Sequence, residues 1–253
     1  MDIAIIGGGA SGLCSAICAA RNLRKKGLSG KITVLERSQK IGKKLLATGN
    51  GRCNLMNENI SLSSFHGDIK IAESVFSRFS YDEISEFFSS LGLLTRADSM
   101  GRVYPYSNRA DTVLSTLLLA CKQYGVEIIT DFTVLDIKRH KDKLEIISES
   151  CKISASSVII ACGSRANKGL GSNLGYELLG VSYSPLFPSL TSVAVSENIS
   201  MLKGVRVRGN VKFLADKQII HSEDGEIQFT DKSLSGICVF NISRYAGEFF
   251  RLG

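Results

Sequence analysis

Apolar runs set the order of elements along the chain. Asp2–Ile6 is a short, mostly apolar stretch of the kind that fills a buried parallel strand. Gly7–Gly12 is glycine-rich enough to turn the backbone sharply. Residues 11–26 then place Leu13, Ile17, Ala20 and Leu23 on one helical face, and Gly27 is suited to close the helix. Lys31–Glu36 is a second strand rich in β-branched residues. Together these segments make one βαβ unit.

A glycine-punctuated basic segment, Gly42–Asn54, follows. The spacing predicts a helix over 68–92, with Phe76, Phe79, Ile84, Phe87, Phe88 and Leu91 supplying core faces. Another is predicted over 110–124, closing at Gly125. Val126–Thr130 is a third strand, and 132–138, 143–148 and 151–154 make a small meander. Ser157–Cys162 is a further buried strand ending at Gly163. Beyond Pro185 and Pro188 the texture changes: Leu190–Ser196, Val205–Leu214, Gln218–His221 and Glu226–Thr230 read as antiparallel strands. The fold class is therefore α/β, with a Rossmann-like, parallel-sheeted domain over 1–187 and a β-rich domain over 188–253.

Composition narrows the function. The 253 residues are 44% hydrophobic and 22% charged, enough to bury a core. The net charge of +7 attracts phosphates. However, its densest stretches, Arg21–Lys26 and Lys40–Lys44, show no stripe interleaved with aromatics, so no nucleic-acid partner is expected. The seven cysteines include no CxxC pair and suggest no metal site. Their odd number points to a reducing compartment, the cytoplasm. Residues 3–20 are long and apolar, but Asp2 precedes them and three consecutive glycines interrupt them. They read as strand, turn and buried helix, and no membrane partner is expected.

Gly7-Gly8-Gly9-Ala10-Ser11-Gly12 matches GxGxxG, follows a strand and opens a helix, and Glu36 ends the next strand 24 residues after Gly12. Gly7 permits the turn, Gly9 lets a pyrophosphate approach the backbone, and Gly12 lets helix and strand pack closely. The helix start offers N–H groups and a positive dipole end to phosphate. Glu36 can accept from ribose hydroxyls and would repel a 2′-phosphate, which disfavours NADP here. FAD and NAD share this fingerprint. Two segments favour FAD. The loop Gly42–Asn54 could wrap a diphosphate with backbone donors, Lys44 and Arg52. The strand end Ile159–Gly163 is small enough for another backbone to pass.

With those residues in view, GGGASGL with LER, then GKKLLATGNGRCNLMN, GRVYPYSNRA, PLFPSL and GEIQFTDKSLSG together resemble the BaiN-like, aminoacetone-oxidase-type flavoproteins. The resemblance implies a glutathione-reductase-type FAD domain, a β-barrel domain inserted into it, and a helical insert within that. It implies that Gly7, Gly9 and Gly12 cradle the pyrophosphate, with Gly8, Ala10 and Ser11 completing the turn. Glu36 and Arg37 would meet the ribose end. Lys44, Thr48, Gly49, Arg52, Cys53 and Asn54 would form the loop near diphosphate and flavin. Thr133–Val134, in the first meander strand, would meet adenine through the backbone, and Ala161 and Gly163 match the small strand end. Members of that family are longer and return after the inserts to complete the FAD domain. The β-rich domain is therefore expected to be incomplete, and the chain a fragment or a shortened relative. Cys238 stands where that family usually has Pro.

The expected activity is oxidoreduction: hydride transfer between a small organic substrate and flavin N5, with NAD(P)H as a transient co-substrate or oxygen as the other partner. His66, His140 and His221 lie outside every motif, and no general base is nominated. Cys53 reads as a packing or backbone-positioning residue, and Ser11 as a cap or phosphate contact. Three alternatives stand beside this: an NAD-binding dehydrogenase without flavin, a catalytically incomplete cofactor-binding module acting through a partner chain, and an FAD-dependent RNA-modifying enzyme.

Overall fold

The computed structural model describes residues 1–66, 69–166 and 172–252. Two compact units divide the chain between Val181 and Ser182, ahead of the boundary expected at 187/188. Apart from short 3-10 turns, the first runs β1 (Ile3–Ile6), α1 (Ala10–Lys25), β2 (Ile32–Leu35), α2 (Lys43–Ala47), β3 (Met56–Asn57), α3 (Ile69–Phe76) and α4 (Tyr81–Ser90). It continues with β4 (Thr95–Ala97), β5 (Arg102–Pro105), α5 (Ala110–Gln123), β6 (Glu127–Ile129), β7 (Asp136–His140), β8 (Lys143–Ile147), β9 (Lys152–Ala155), β10 (Ser157–Ile160) and α6 (Leu174–Leu179). The second contains β11 (Val193–Ala194), β12 (Arg206–Ala215), β13 (Gln218–Phe229), β14 (Ser233–Ser235) and α7 (Ile237–Leu252).

A four-stranded parallel sheet, in the order β10-β1-β2-β6, forms the centre of the first unit. Alternation along β1 explains its two faces. Ile5 turns toward α1 and α5, where Leu13, Ile17, Val34, Val113 and Leu117 form the larger core. Ala4 and Ile6 turn the other way, onto Phe132, Val134 and Ile146 beside the β7-β8-β9 meander. Burial on both faces is why β1 is apolar throughout rather than alternating.

Three expectations need correction here. The helix predicted over 68–92 is two helices, α3 and α4, and residue 68 lies outside the described residues. Ser80 begins the second. Its hydroxyl accepts from the Glu83 N–H (3.4 Å), while Glu83 accepts from the Ser80 N–H (2.7 Å), a capping box that stops and restarts the helix. Phe79, just before that cap, is 58% exposed rather than part of a core face. The first meander strand begins at Asp136, so Thr133 and Val134 precede it.

In the second unit, β11-β14-β13-β12 form an antiparallel sheet with α7 packed on it. Among the described residues this sheet is open, with β11 and β12 at its edges. The β-rich expectation passed over α7, whose Cys238, Val239 and Ile242 are buried. The two strands expected at 218–221 and 226–230 are one, β13, paired along its length with β12. Gly225 is not a turn residue: a Cβ there would stand 3.0 Å from Cys238 Cβ, so glycine admits the helix. The hairpin turn lies instead at Asp216–Lys217, both at positive φ (49° and 67°), as a two-residue hairpin turn requires.

Candidate functional site

A cavity of about 650 Å³ opens where β1, β2 and β10 end and α1 begins. That is where ligands bind in open parallel sheets, and the volume is in the range of small-molecule and cofactor pockets. Of the residues expected at a cofactor site, Gly7, Gly9, Ala10, Ser11, Glu36, Arg37, Lys44, Thr48, Cys53, Asn54, Val134, Ala161 and Gly163 all line it. Gly8, Gly12, Gly49 and Arg52 do not.

The turn into α1 makes the cradle. Gly7 sits at φ +114°, where a Cβ would run into the Ala161 carbonyl and the Cys162 Cα. Only glycine allows the turn to cross the end of β10 so closely. A Cβ on Gly12 would strike the Gly7 carbonyl, which locks helix to turn, whereas one on Gly9 would meet nothing within 4 Å and point into open space. Gly9 is the N-cap of α1, with no side-chain cap and no acid in the first turn. Ser11 is therefore not the cap. The free N–H groups and positive dipole end of the first turn are left for an anion.

Glu36 is held ready by the backbone. Its Oε2 accepts from the Gly8 N–H at 2.8 Å and its Oε1 from the Ser38 N–H at 2.9 Å. A carboxylate has about four acceptor positions, so two remain for a diol. Gly8 thus contributes by orienting Glu36 rather than by lining the cavity.

The 42–54 segment forms the opposite wall through α2 and an unusual turn. Gly49, Asn50, Gly51 and Cys53 all adopt positive φ (55°, 54°, 80° and 59°), and Cys53 N–H donates to the Thr48 carbonyl at 3.0 Å. The turn carries Cys53 inward, where it is buried, and Arg52 outward, where its guanidinium stacks over Tyr104 at 4.7 Å. Burial pushes the Cys53 thiol up, opposed by a hydrogen bond with Thr48, so it stays protonated and is a poor nucleophile. Burial likewise raises Cys162, on the facing wall. Lys44 Nζ donates to the Ser164 carbonyl at 2.8 Å, tying α2 to the turn after β10. A Cβ on Gly163 (φ +74°) would press on that ammonium at 2.8 Å.

The sequence reading did not single out Lys40, Lys43 or the apolar end of the cavity, formed by Leu45, Leu55, Phe88, Val113 and Leu117. The lysines were visible as a basic run. The apolar residues looked like ordinary core, and only the packing of α2, α4 and α5 shows that they also face the cavity.

FAD fits this arrangement. The cradle at Gly9 admits a diphosphate, Glu36 keeps two acceptor positions for ribose hydroxyls, and the apolar end suits a flat ring system. These features define a dinucleotide-binding Rossmann protein. The HI0933-like protein Rossmann domain family matches residues 1–186, and the chain belongs to that family. A 3-dehydro-bile acid Δ(4,6)-reductase from Clostridium scindens is 41% identical over 252 residues, covering 97% of this chain and 60% of that protein. A ribosomal RNA dihydrouridine synthase from Haemophilus influenzae is 26% identical over 253 residues, covering 95% and 60%. The chain thus spans about three-fifths of the length of these relatives. The expected exclusion of nucleic acid finds no support in them. Among solved structures, a 3-ketosteroid-Δ4-(5α)-dehydrogenase from Rhodococcus jostii matches at a TM-score of 0.49 and 15% identity, over 64% of this chain and 46% of that one. No helix among the described residues is long and apolar enough to cross a membrane.

Proposed function

We propose that this chain is the FAD-holding part of an oxidoreductase that reduces a carbon–carbon double bond conjugated to a carbonyl in a small organic substrate. The observation that carries the cofactor is the cavity at the start of α1, with an open Gly9 and a pre-oriented Glu36. The substrate class draws on relatives: both a 3-dehydro-Δ(4,6) bile acid and the uracil of uridine present a double bond conjugated to a carbonyl.

Bound FAD supplies hydride exchange at its N5. The chain's own groups do the binding. First-turn N–H groups of α1 and the Lys44 ammonium hold the diphosphate, Glu36 the ribose diol, and the backbone at Thr133–Val134 the adenine. Gly8, Gly12 and Gly49 shape the turns behind them, while Arg37, Arg52 and Asn54 border the site. Cys53 and Cys162 remain neutral thiols in its walls. A pyridine nucleotide serves as transient reductant. Domains are assigned as 1–187 and 188–253, with the second contributing its four strands to a barrel-like domain. All seven cysteines are free, which supports a reducing, cytoplasmic setting.

The test is anaerobic. Flavin in the purified protein is reduced with dithionite, then mixed with a steroid bearing a 3-oxo-4,6-diene or with its saturated analogue. The reading requires reoxidation by the diene alone. Reoxidation by neither compound, with oxygen still effective, would overturn the substrate class. A colourless protein that binds NADH would support a dehydrogenase without flavin instead.

A further inference from the structure

The turn between Thr48 and Asn54 holds its shape against local preference. Asn50 and Cys53 carry side chains yet sit at positive φ (54° and 59°), a conformation that persists only where the surroundings enforce it. The enforcing contacts come from β5. The Leu55 N–H donates to the Val103 carbonyl at 2.8 Å, which fixes the chain as it leaves the turn. At the other end Gly49 lies against the Tyr104 ring, where a Cβ would stand 3.5 Å from Tyr104 Cε1.

Arg52 closes the arrangement. Its guanidinium lies over the Tyr104 ring at 4.7 Å, and its Nε donates to the Gly49 carbonyl at 3.3 Å. The side chain thus ties the turn to itself and to β5 while remaining exposed, whereas Tyr104 is buried. Neither residue lines the cofactor cavity, but Thr48, Cys53, Asn54 and Leu55 all do. Leu55 belongs to the apolar end of the cavity, so the turn forms the wall on the side where a ring system fits.

We propose that Arg52 and Tyr104 act as one clasp, a pair of positioning residues that keeps this turn wound and so sets Cys53 and Asn54 against bound FAD. A cation over an aromatic face is attractive in its own right, and here the charge faces the ring rather than the cavity. Arg52 is therefore not the diphosphate contact that the composition of its loop suggests. The inference rests on the FAD reading for what the wall faces; the clasp itself belongs to the chain alone.

Alkylation of Cys53 by iodoacetamide in apoprotein, followed by peptide mass spectrometry, tests the clasp without the cofactor. Arg52→Met keeps the apolar stem and removes both the cation and the donor. It should speed Cys53 modification roughly fivefold or more. Cys121, in the core, should keep the parent rate, because the opening is local. Arg52→Lys restores a cation and Tyr104→Phe keeps the ring, so both should stay within about twofold of the parent. In calorimetry, FAD affinity should fall roughly fivefold in Arg52→Met and in Tyr104→Leu, and no further in the double variant, since residues acting as a pair are not additive. Parent-like Cys53 modification in Arg52→Met overturns the proposal, as does equal acceleration of Cys53 and Cys121. Loss of FAD affinity in Arg52→Met but not in Tyr104→Leu also overturns it, and would make Arg52 a direct phosphate contact. A chain that refuses FAD fails the cofactor reading alone, and Cys53 still decides the clasp.

Discussion

Replacing Gly9 by Val separates the cradle from the fold. A Cβ at Gly9 meets nothing within 4 Å, and the residue's φ of −86° and ψ of −170° are extended, so a β-branched side chain is accepted without strain. The folded chain should therefore keep its thermal stability. The valine methyl groups would instead fill the space where a diphosphate reaches the first turn of α1. Losing two backbone N–H bonds to a charged phosphate, at about 1.5–3 kcal/mol each, removes roughly 3–6 kcal/mol, or about 10²- to 10⁴-fold in affinity. Titrating apoprotein with FAD by calorimetry reads this directly. Gly12→Ala is the contrast, because its Cβ would collide with the Gly7 carbonyl, a backbone atom that cannot move aside. That variant should lose stability, by about 1–3 kcal/mol or more, together with FAD. If Gly9→Val binds FAD within a few-fold of the parent, the diphosphate does not lie where the cradle puts it.

Further expectations concern positioning and stability. Lys44→Met removes the ammonium that bonds the Ser164 carbonyl, and should weaken FAD binding about tenfold or more in the same titration. Ser80→Ala breaks the α4 capping box and should cost about 1 kcal/mol, read as a lower midpoint in urea. Burial raises the thiols of Cys14 to about 12 and Cys121 to about 11 from an ordinary 9.0. The unfolded chain ionises them first, so stability is whole below pH 9 and falls as pH climbs toward 11–12. Cys14→Ala with Cys121→Ala should flatten that alkaline slope in denaturant titrations. Iodoacetamide at pH 8 should modify exposed Cys151 before half-buried Cys14 or buried Cys121, checked by peptide mass spectrometry.

The cradle was legible because its chemistry is local. The apolar run of β1, the Gly7–Gly12 turn and the acid at Glu36 lie within one short unit, and each residue type answers to a backbone or charge requirement there. Where the sequence reading failed, distant residues decided the outcome. Asp224-Gly225 looks like a turn, yet Gly225 is small because Cys238 packs on it. α7 contains β-branched and aromatic residues that mimic a strand, and its helical repeat of Cys238, Ile242 and Tyr245 was overshadowed by the strands before it. Ser80-x-x-Glu83 was a readable stop signal inside an otherwise continuous apolar period. The apolar end of the cavity could not be read along the chain, because only folding brings Leu45, Leu55, Phe88, Val113 and Leu117 together.

The most direct test of the cofactor assignment is the visible absorption spectrum of the purified protein, with identification of the nucleotide released on denaturation. The account predicts a yellow protein releasing one FAD per chain. A colourless protein that also refuses added FAD would contradict it.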